Sequence, residues 1–119
     1  MPDLAYAGTR GRLHMNETDR VIAQELRSRL WAVARLVDFR VFGSRARGTA
    51  GEDSDLDVFI EIEDVDRQTR EAIDDVVWEV GFRRSVVISP FVVTRRELEE
   101  SALRSSPVVA SILRDGVRL

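Results

Sequence analysis

Asp55 and Asp57 stand two residues apart at the start of an alternating apolar stretch. On a strand, side chains two apart leave the same face. Two carboxylates sent into one space repel each other unless something neutralises them. A hard divalent cation does this, and Mg²⁺ takes one or two carboxylates together with substrate phosphates. Leu56 between them faces the core and fixes the register. Upstream, Val41-Phe42 runs into Gly43-Ser44. Glycine lets the backbone approach a ligand closely, the free N–H groups of a following helical turn favour an anion, and the Ser44 hydroxyl adds a donor. Together these make a phosphate cradle without a lysine. Taken alone, Gly-Ser at a strand end reads as a plain tight turn. An Asp-x-Asp alone reads as a solvated acidic strand end with Ser54 as its local cap.

The elements that must position these residues follow from periodicity. Val21, Ile22, Leu26, Leu30, Val33 and Val37 recur at spacings of three and four, which predicts a first helix over residues 17–36, capped by Asn16 or Thr18. Residues 38–42 alternate and predict a strand ended by Gly43; residues 44–47 form one helical turn closed by Gly48; residues 49–54 are a polar loop. Leu56–Ile62 alternates again, with Leu56, Val58, Ile60 and Ile62 on one face and Asp57, Phe59 and Glu61 on the other. A helix over residues 67–80 carries Ile73, Val76, Val77 and Val80 inward, starts at Asp64 or Asp66 and stops at Gly81. Residues 85–94 predict a third strand, placed at an edge by Pro90. Two helices follow, over residues 95–103 and 107–116, and the tail from Val117 can return to the sheet. The short link between the first two strands allows antiparallel pairing, and the helical crossover to the third allows parallel pairing. The expected fold class is α/β (α+β), a small mixed sheet of three to four strands flanked by helices. Trp31, Trp78 and Phe82 read as core or interface aromatics, with core the expected place.

Composition bounds the alternatives. The 119 residues point to one domain, residues 16–119, behind a flexible leader, residues 1–15. There are no cysteines, which excludes disulfides, zinc–thiolate sites and thiol nucleophiles. The single histidine, His14, lies in the leader, away from any site. All 18 basic residues are arginine, so a Walker-A loop, which needs its lysine, is excluded. The net charge of −3 argues against a general nucleic-acid coat. No apolar run approaches the roughly 20 residues of a membrane span, and no secretory h-region is present, so the expected location is the cytoplasm.

The whole stretch Gly43-Ser44-Arg45-Ala46-Arg47-Gly48, a short loop, then Ser54-Asp55-Leu56-Asp57-Val58 resembles the signature of the DNA polymerase β-like nucleotidyltransferase superfamily. It is most similar to the minimal nucleotidyltransferase (MNT) group. The resemblance extends from about residue 17 to residue 116. It implies nucleotidyl transfer, with Asp55 and Asp57 as the catalytic pair that holds Mg²⁺, Gly43 and Ser44 binding the triphosphate tail, and Arg45, Arg47 and Ser54 completing the nucleotide-binding set. Of Arg45 and Arg47, one can reach phosphate while the other pairs with Glu52, Asp53 or solvent. Small members of this group are commonly paired with a helical HEPN-type protein in toxin–antitoxin systems. The expectation is therefore transfer of AMP from ATP to a hydroxyl of such a partner, the chain acting as antitoxin.

One departure bears on catalysis. The resemblance implies a third carboxylate on the third strand, at Val87 or Ser89, and neither is an acid. Glu61 shares the face of Asp57 but stands roughly 13 Å further on at about 3.3 Å per residue, too far to substitute. Two carboxylates support one cation with the triphosphate and leave a second poorly supported. The alternative is therefore a catalytically weak or inactive binding module that neutralises a partner by covering it.

Overall fold

The computed structural model describes residues 15–51 and 53–119. The expectations for residues 1–14, His14 among them, and for Glu52 lie outside the described residues.

The first helix, α1 (Glu17–Val33), is capped by Asn16, whose side chain accepts from Asp19 N at 2.8 Å. It is shorter than its periodicity predicts. Ala34 is extended, and Leu36 already belongs to strand β1 (Leu36–Phe42), which also begins earlier than expected. The buried stripe is correspondingly narrow: Ile22, Ala23, Leu26 and Leu30 are covered, whereas Val21, Val33 and Val37 are exposed. Met15, assigned above to the leader, is buried against this core.

β1 leads directly into a single short helix, α2 (Gly43–Arg47), closed by Gly48. Strand β2 (Leu56–Ile62) pairs antiparallel with β1. Helix α3 (Arg67–Arg84) starts at Asp66, whose carboxylate accepts from Thr69 N at 2.7 Å. It runs past Gly81, the expected stop, and ends at Ser85, which takes the left-handed conformation with φ 57°. Gly81 serves close approach instead. A Cβ there would stand 2.7 Å from the Val86 carbonyl oxygen, so only glycine lets the chain fold back under the helix.

Strand β3 (Ile88–Thr94) is shorter than predicted and pairs parallel with β2. The segment expected as one helix over residues 95–103 divides into α4 (Arg95–Glu100) and a 3₁₀ turn (Ala102–Ser105), because the Ser101 side chain caps the new turn. Helix α5 (Pro107–Asp115) opens on proline, and β4 (Val117–Arg118) returns antiparallel to β1. The sheet is mixed and four-stranded, in the order β3-β2-β1-β4, with Pro90 on an edge strand.

Two hydrophobic layers hold the sheet. Leu56, Val58 and Ile60 of β2, with Phe39 and Val41 of β1, meet Leu26 and Leu30 of α1 and Ile73, Val77 and Val80 of α3. On the other face Phe59 packs with Val93, Leu98, Val109 and Ile112. β2 is thus buried on both faces, which holds its first residues still. Ion pairs join α1 to α3: Glu25 meets Arg83 and Arg84, and Glu79 meets Arg29. The three aromatics read as core are not core. Trp31, Trp78 and Phe82 are 61%, 66% and 73% exposed, since each lies off the stripe its helix buries.

Asp38 and Glu61 face each other across β1 and β2. Asp38 is held by Arg40 Nε at 2.8 Å and Arg118 Nε at 3.1 Å, which ties the tail to the sheet. Burial, and next the Asp38 charge, raise the Glu61 carboxyl above its ordinary 4.5, against the pull of Arg95 and Arg104. A carboxyl raised by folding destabilises the fold once the pH exceeds its unfolded value. Glu61→Gln therefore stabilises the protein at pH 7 by a few tenths to about 1 kcal/mol, the scale of a like-charge cross-strand pair. The gain disappears below pH 4.5, where the acid is protonated in both states. Urea titrations of both proteins across this range read the effect.

Among the described residues, no helix is long and apolar enough to cross a membrane.

Candidate functional site

β1 ends where β2 and β3 begin, so one edge of the sheet collects Gly43, Asp55, Asp57 and Ser89. Gly43 opens α2 with φ 77°, a left-handed value that disfavours any side chain. A Cβ built there would lie inside 3.0 Å of Asp57 Oδ2 and 3.3 Å from its Cγ. The glycine is thus required by its own backbone and by the carboxylate against it. Phe42 precedes the helix and provides no side-chain cap, so the first N–H groups of α2 are left without one.

Asp57 is half-buried between Phe42 of β1 and Ser89 of β3, its register partners. Burial raises its carboxyl above the ordinary 3.8, and the Asp55 charge raises it further. Asp55 lies just before β2 and is exposed. Among the described residues neither carboxylate has a hydrogen-bond or ion-pair partner. This is a donor pair with its charge uncompensated. A hard cation fits it, with substrate phosphates filling the remaining positions. Among the described residues no group of three acidic or metal-ligating side chains gathers, so the protein's donors suit one shared cation better than two.

The parallel register shows where a third acid would stand. Asp57 pairs with Ser89 and Leu56 with Ile88, which brings Val87 level with Asp55. The Leu56 amide donates to the Val87 carbonyl at 2.8 Å. Both places considered from the sequence thus flank the aspartates, and they hold a hydroxyl and an isopropyl group.

The arginines separate by role. Arg45 turns inward: its Nη1 donates to Asp19 Oδ1 at 2.6 Å and its Nε to the Ser54 carbonyl at 2.8 Å. Both side chains of this ion pair are nearly buried. The guanidinium therefore ties α1, α2 and the residue before Asp55 into one unit, and it is occupied by protein acceptors. Arg47 is exposed and makes no ion pair among the described residues. Ser44 is half-buried, and its carbonyl accepts from Thr49 N at 3.0 Å. Ser54 is half-buried, with its amide bonded to the Gly51 carbonyl at 3.1 Å.

Sequence reasoning missed Asp19. Glu17 and Asp19 are both acids in the first turn of α1, and nothing local tells one from the other. Asp19→Asn keeps the shape but removes the charge that faces Arg45. It lowers stability by about 2 kcal/mol, the scale of a buried hydrogen bond to a charged group, as thermal or urea unfolding would read.

A mixed sheet flanked by helices, with an Asp-x-Asp at the head of a central strand beside a Gly-Ser turn, defines the nucleotidyltransferase fold. The chain matches the nucleotidyltransferase domain family over residues 20–117 and belongs to it. It is also similar to a Methanocaldococcus jannaschii protein named putative protein adenylyltransferase MJ1305, with 32% identity over 81 residues. That alignment covers 66% of this chain and 54% of the relative, so the chain matches about half of that protein's length. No solved structure matches the chain at comparable stringency.

Proposed function

We propose that the protein transfers AMP from ATP to a hydroxyl of a partner protein, with Mg²⁺ held by Asp55 and Asp57. The observation that carries this reading is the uncompensated carboxylate pair at the start of the central strand, with Asp57 set against Gly43. Family membership supports nucleotidyl transfer, and the relative's name supports a protein acceptor and an adenylyl group. In the reaction the acceptor oxygen forms a bond to the α-phosphorus while the bond to the bridging oxygen of pyrophosphate breaks. Pyrophosphate leaves with the electron pair, and the hydroxyl proton passes to solvent. The cation supplies charge neutralisation for the phosphates. The chain's own residues position: Gly43 and Ser44 take the triphosphate tail, Arg47 is placed to meet phosphate, and the Asp19–Arg45–Ser54 clamp steadies the approach to Asp55.

A partner of the helical HEPN type, in a cytoplasmic toxin–antitoxin pair, completes the proposal. The absence of an acid at Val87 and Ser89 favours a second reading, a slow or inactive domain that neutralises its partner by binding. Incubation with α-labelled ATP, Mg²⁺ and the product of the adjacent gene separates the two. Label on the partner supports transfer. A stable unlabelled complex supports masking. Neither label nor complex contradicts both.

A further inference from the structure

An apolar groove of about 670 Å³ opens between the C-terminal half of α3 and the start of β3. Its floor includes Val77 and Ile88, both buried in the layer that packs against α1. Asp57 and Ser89 leave the sheet on the opposite face, the one that carries Phe59. An occupant of the groove therefore leaves the carboxylate pair open.

The rim of the groove is apolar and held in water. Trp78 and Phe82 are stacked, with ring centroids 5.0 Å apart and planes 10° apart, and Val87 is 66% exposed. Rings already fixed against each other have little freedom left to lose on binding. With Val87 they offer apolar surface on the order of 400 Å², as much as the largest patch of an ordinary monomer. A stable interface takes about 800 Å² from each side, apolar at its centre and polar at its rim. The patch supplies about half of that share, and it is the central half.

The polar remainder decides what covers it. Asp74 and Asp75 lie exposed one turn before the rings, and Asp75 makes no ion pair among the described residues. Arg83 and Arg84 stand in the last turn, just after the rings. They share one carboxylate, Glu25, so that turn keeps net positive charge. The helix is thus acidic before its aromatics and basic after them. An antiparallel copy of the same helix presents the reverse order, so the face complements itself.

We propose that two copies of this chain pair through α3 as a symmetric dimer. Trp78 of each copy meets Phe82 of the other across the axis, and Asp75 of each comes level with the other's last turn. Pro90 lacks an N–H on the edge strand, which disfavours joining the copies through β3 and leaves side chains to make the contact. The dimer does not rest on the nucleotidyl-transfer reading, because both carboxylate pairs lie on faces that the contact does not use.

Sedimentation velocity over roughly 1–100 µM protein tests the pairing. The expected result is a reversible dimer for wild type. Phe82→Ser, at an exposed position, weakens it at least about tenfold, and so does Asp75→Arg, which sets like charges together across the axis. At concentrations below pairing both variants unfold in urea as wild type does, which separates lost pairing from lost fold. Mg²⁺–nucleotide affinity is the same in wild type and in Phe82→Ser, so failure of the dimer and failure of the functional reading are distinguishable. A wild type that stays monomeric throughout overturns the proposal, as does a dimer that either substitution leaves intact. A chain that is monomeric alone, and loses a complex with the adjacent gene's product on Phe82→Ser, also overturns it, since the groove then serves a different protein.

Discussion

Replacing Asp55 and Asp57 together with Asn abolishes Mg²⁺-dependent ATP binding and leaves a protein at least as stable as the original. The two effects have one cause. Asp57 is half-buried, and its carboxyl is raised by burial and by Asp55. Folding therefore forces these charges together without compensation from the described residues. Neutral amides relieve the repulsion and remove the ligand charge. The expected loss of Mg²⁺–ATP affinity is on the order of 100-fold or more. The gain in stability is at most about 1 kcal/mol, because Asp55 is exposed and water screens the pair. The raised Asp57 carboxyl sets the pH dependence. The folded state is disfavoured by the charge above the ordinary 3.8, so the variant's advantage is present at neutral pH and vanishes in acid as both states protonate. Calorimetric titration and thermal melts at pH 7 and pH 3 read both halves. A double variant that binds Mg²⁺–ATP as wild type does contradicts the metal assignment.

Gly43→Ala produces the second large effect, and it damages binding more than folding. The backbone at φ 77° disfavours a Cβ by about 1–2 kcal/mol, which lowers the melting temperature by roughly 3–8 °C. The new methyl meets the end of a short side chain, Asp57 Oδ2, so the carboxylate moves before the sheet does. Nucleotide affinity then falls on the order of 100-fold, since a ligand group is displaced at the position the tail must approach. A double-mutant cycle isolates the cause. In a background carrying Asp57→Asn, the carboxylate is already lost and Gly43→Ala has much less left to remove, so the two effects on binding are not additive. Additive effects contradict the contact.

The order of elements was legible because its signals are local. Alternation marks β2, spacings of three and four mark α1 and α3, and proline opens α5. The Gly43-Ser44 and Asp55/Asp57 pairs were legible as types and spacings. What joins them was not. The level placing of Asp57 with Ser89 is a property of parallel pairing, and a single sequence states no register. The Asp19–Arg45 pair links distant positions, so no local pattern separates a buried Asp19 from an ordinary acid in a first turn. Arg45 and Arg47 look equivalent in sequence, yet one guanidinium faces inward and the other faces water. Trp78 and Phe82 were read inward because large aromatics bury well. They fall beside the buried Ile73–Val77–Val80 stripe of α3 and stay exposed. Left outside the packed stripe, Trp78 and Phe82 line an exposed apolar groove against the start of β3.

The central claim is that two acids at the head of β2 bind polyphosphate only through a shared cation. Titration of ATP into the wild-type protein, with Mg²⁺ and then with excess chelator, tests it most directly. Saturable heat that disappears on chelation is the predicted result. Heat of equal size in both titrations, or none in either, contradicts it.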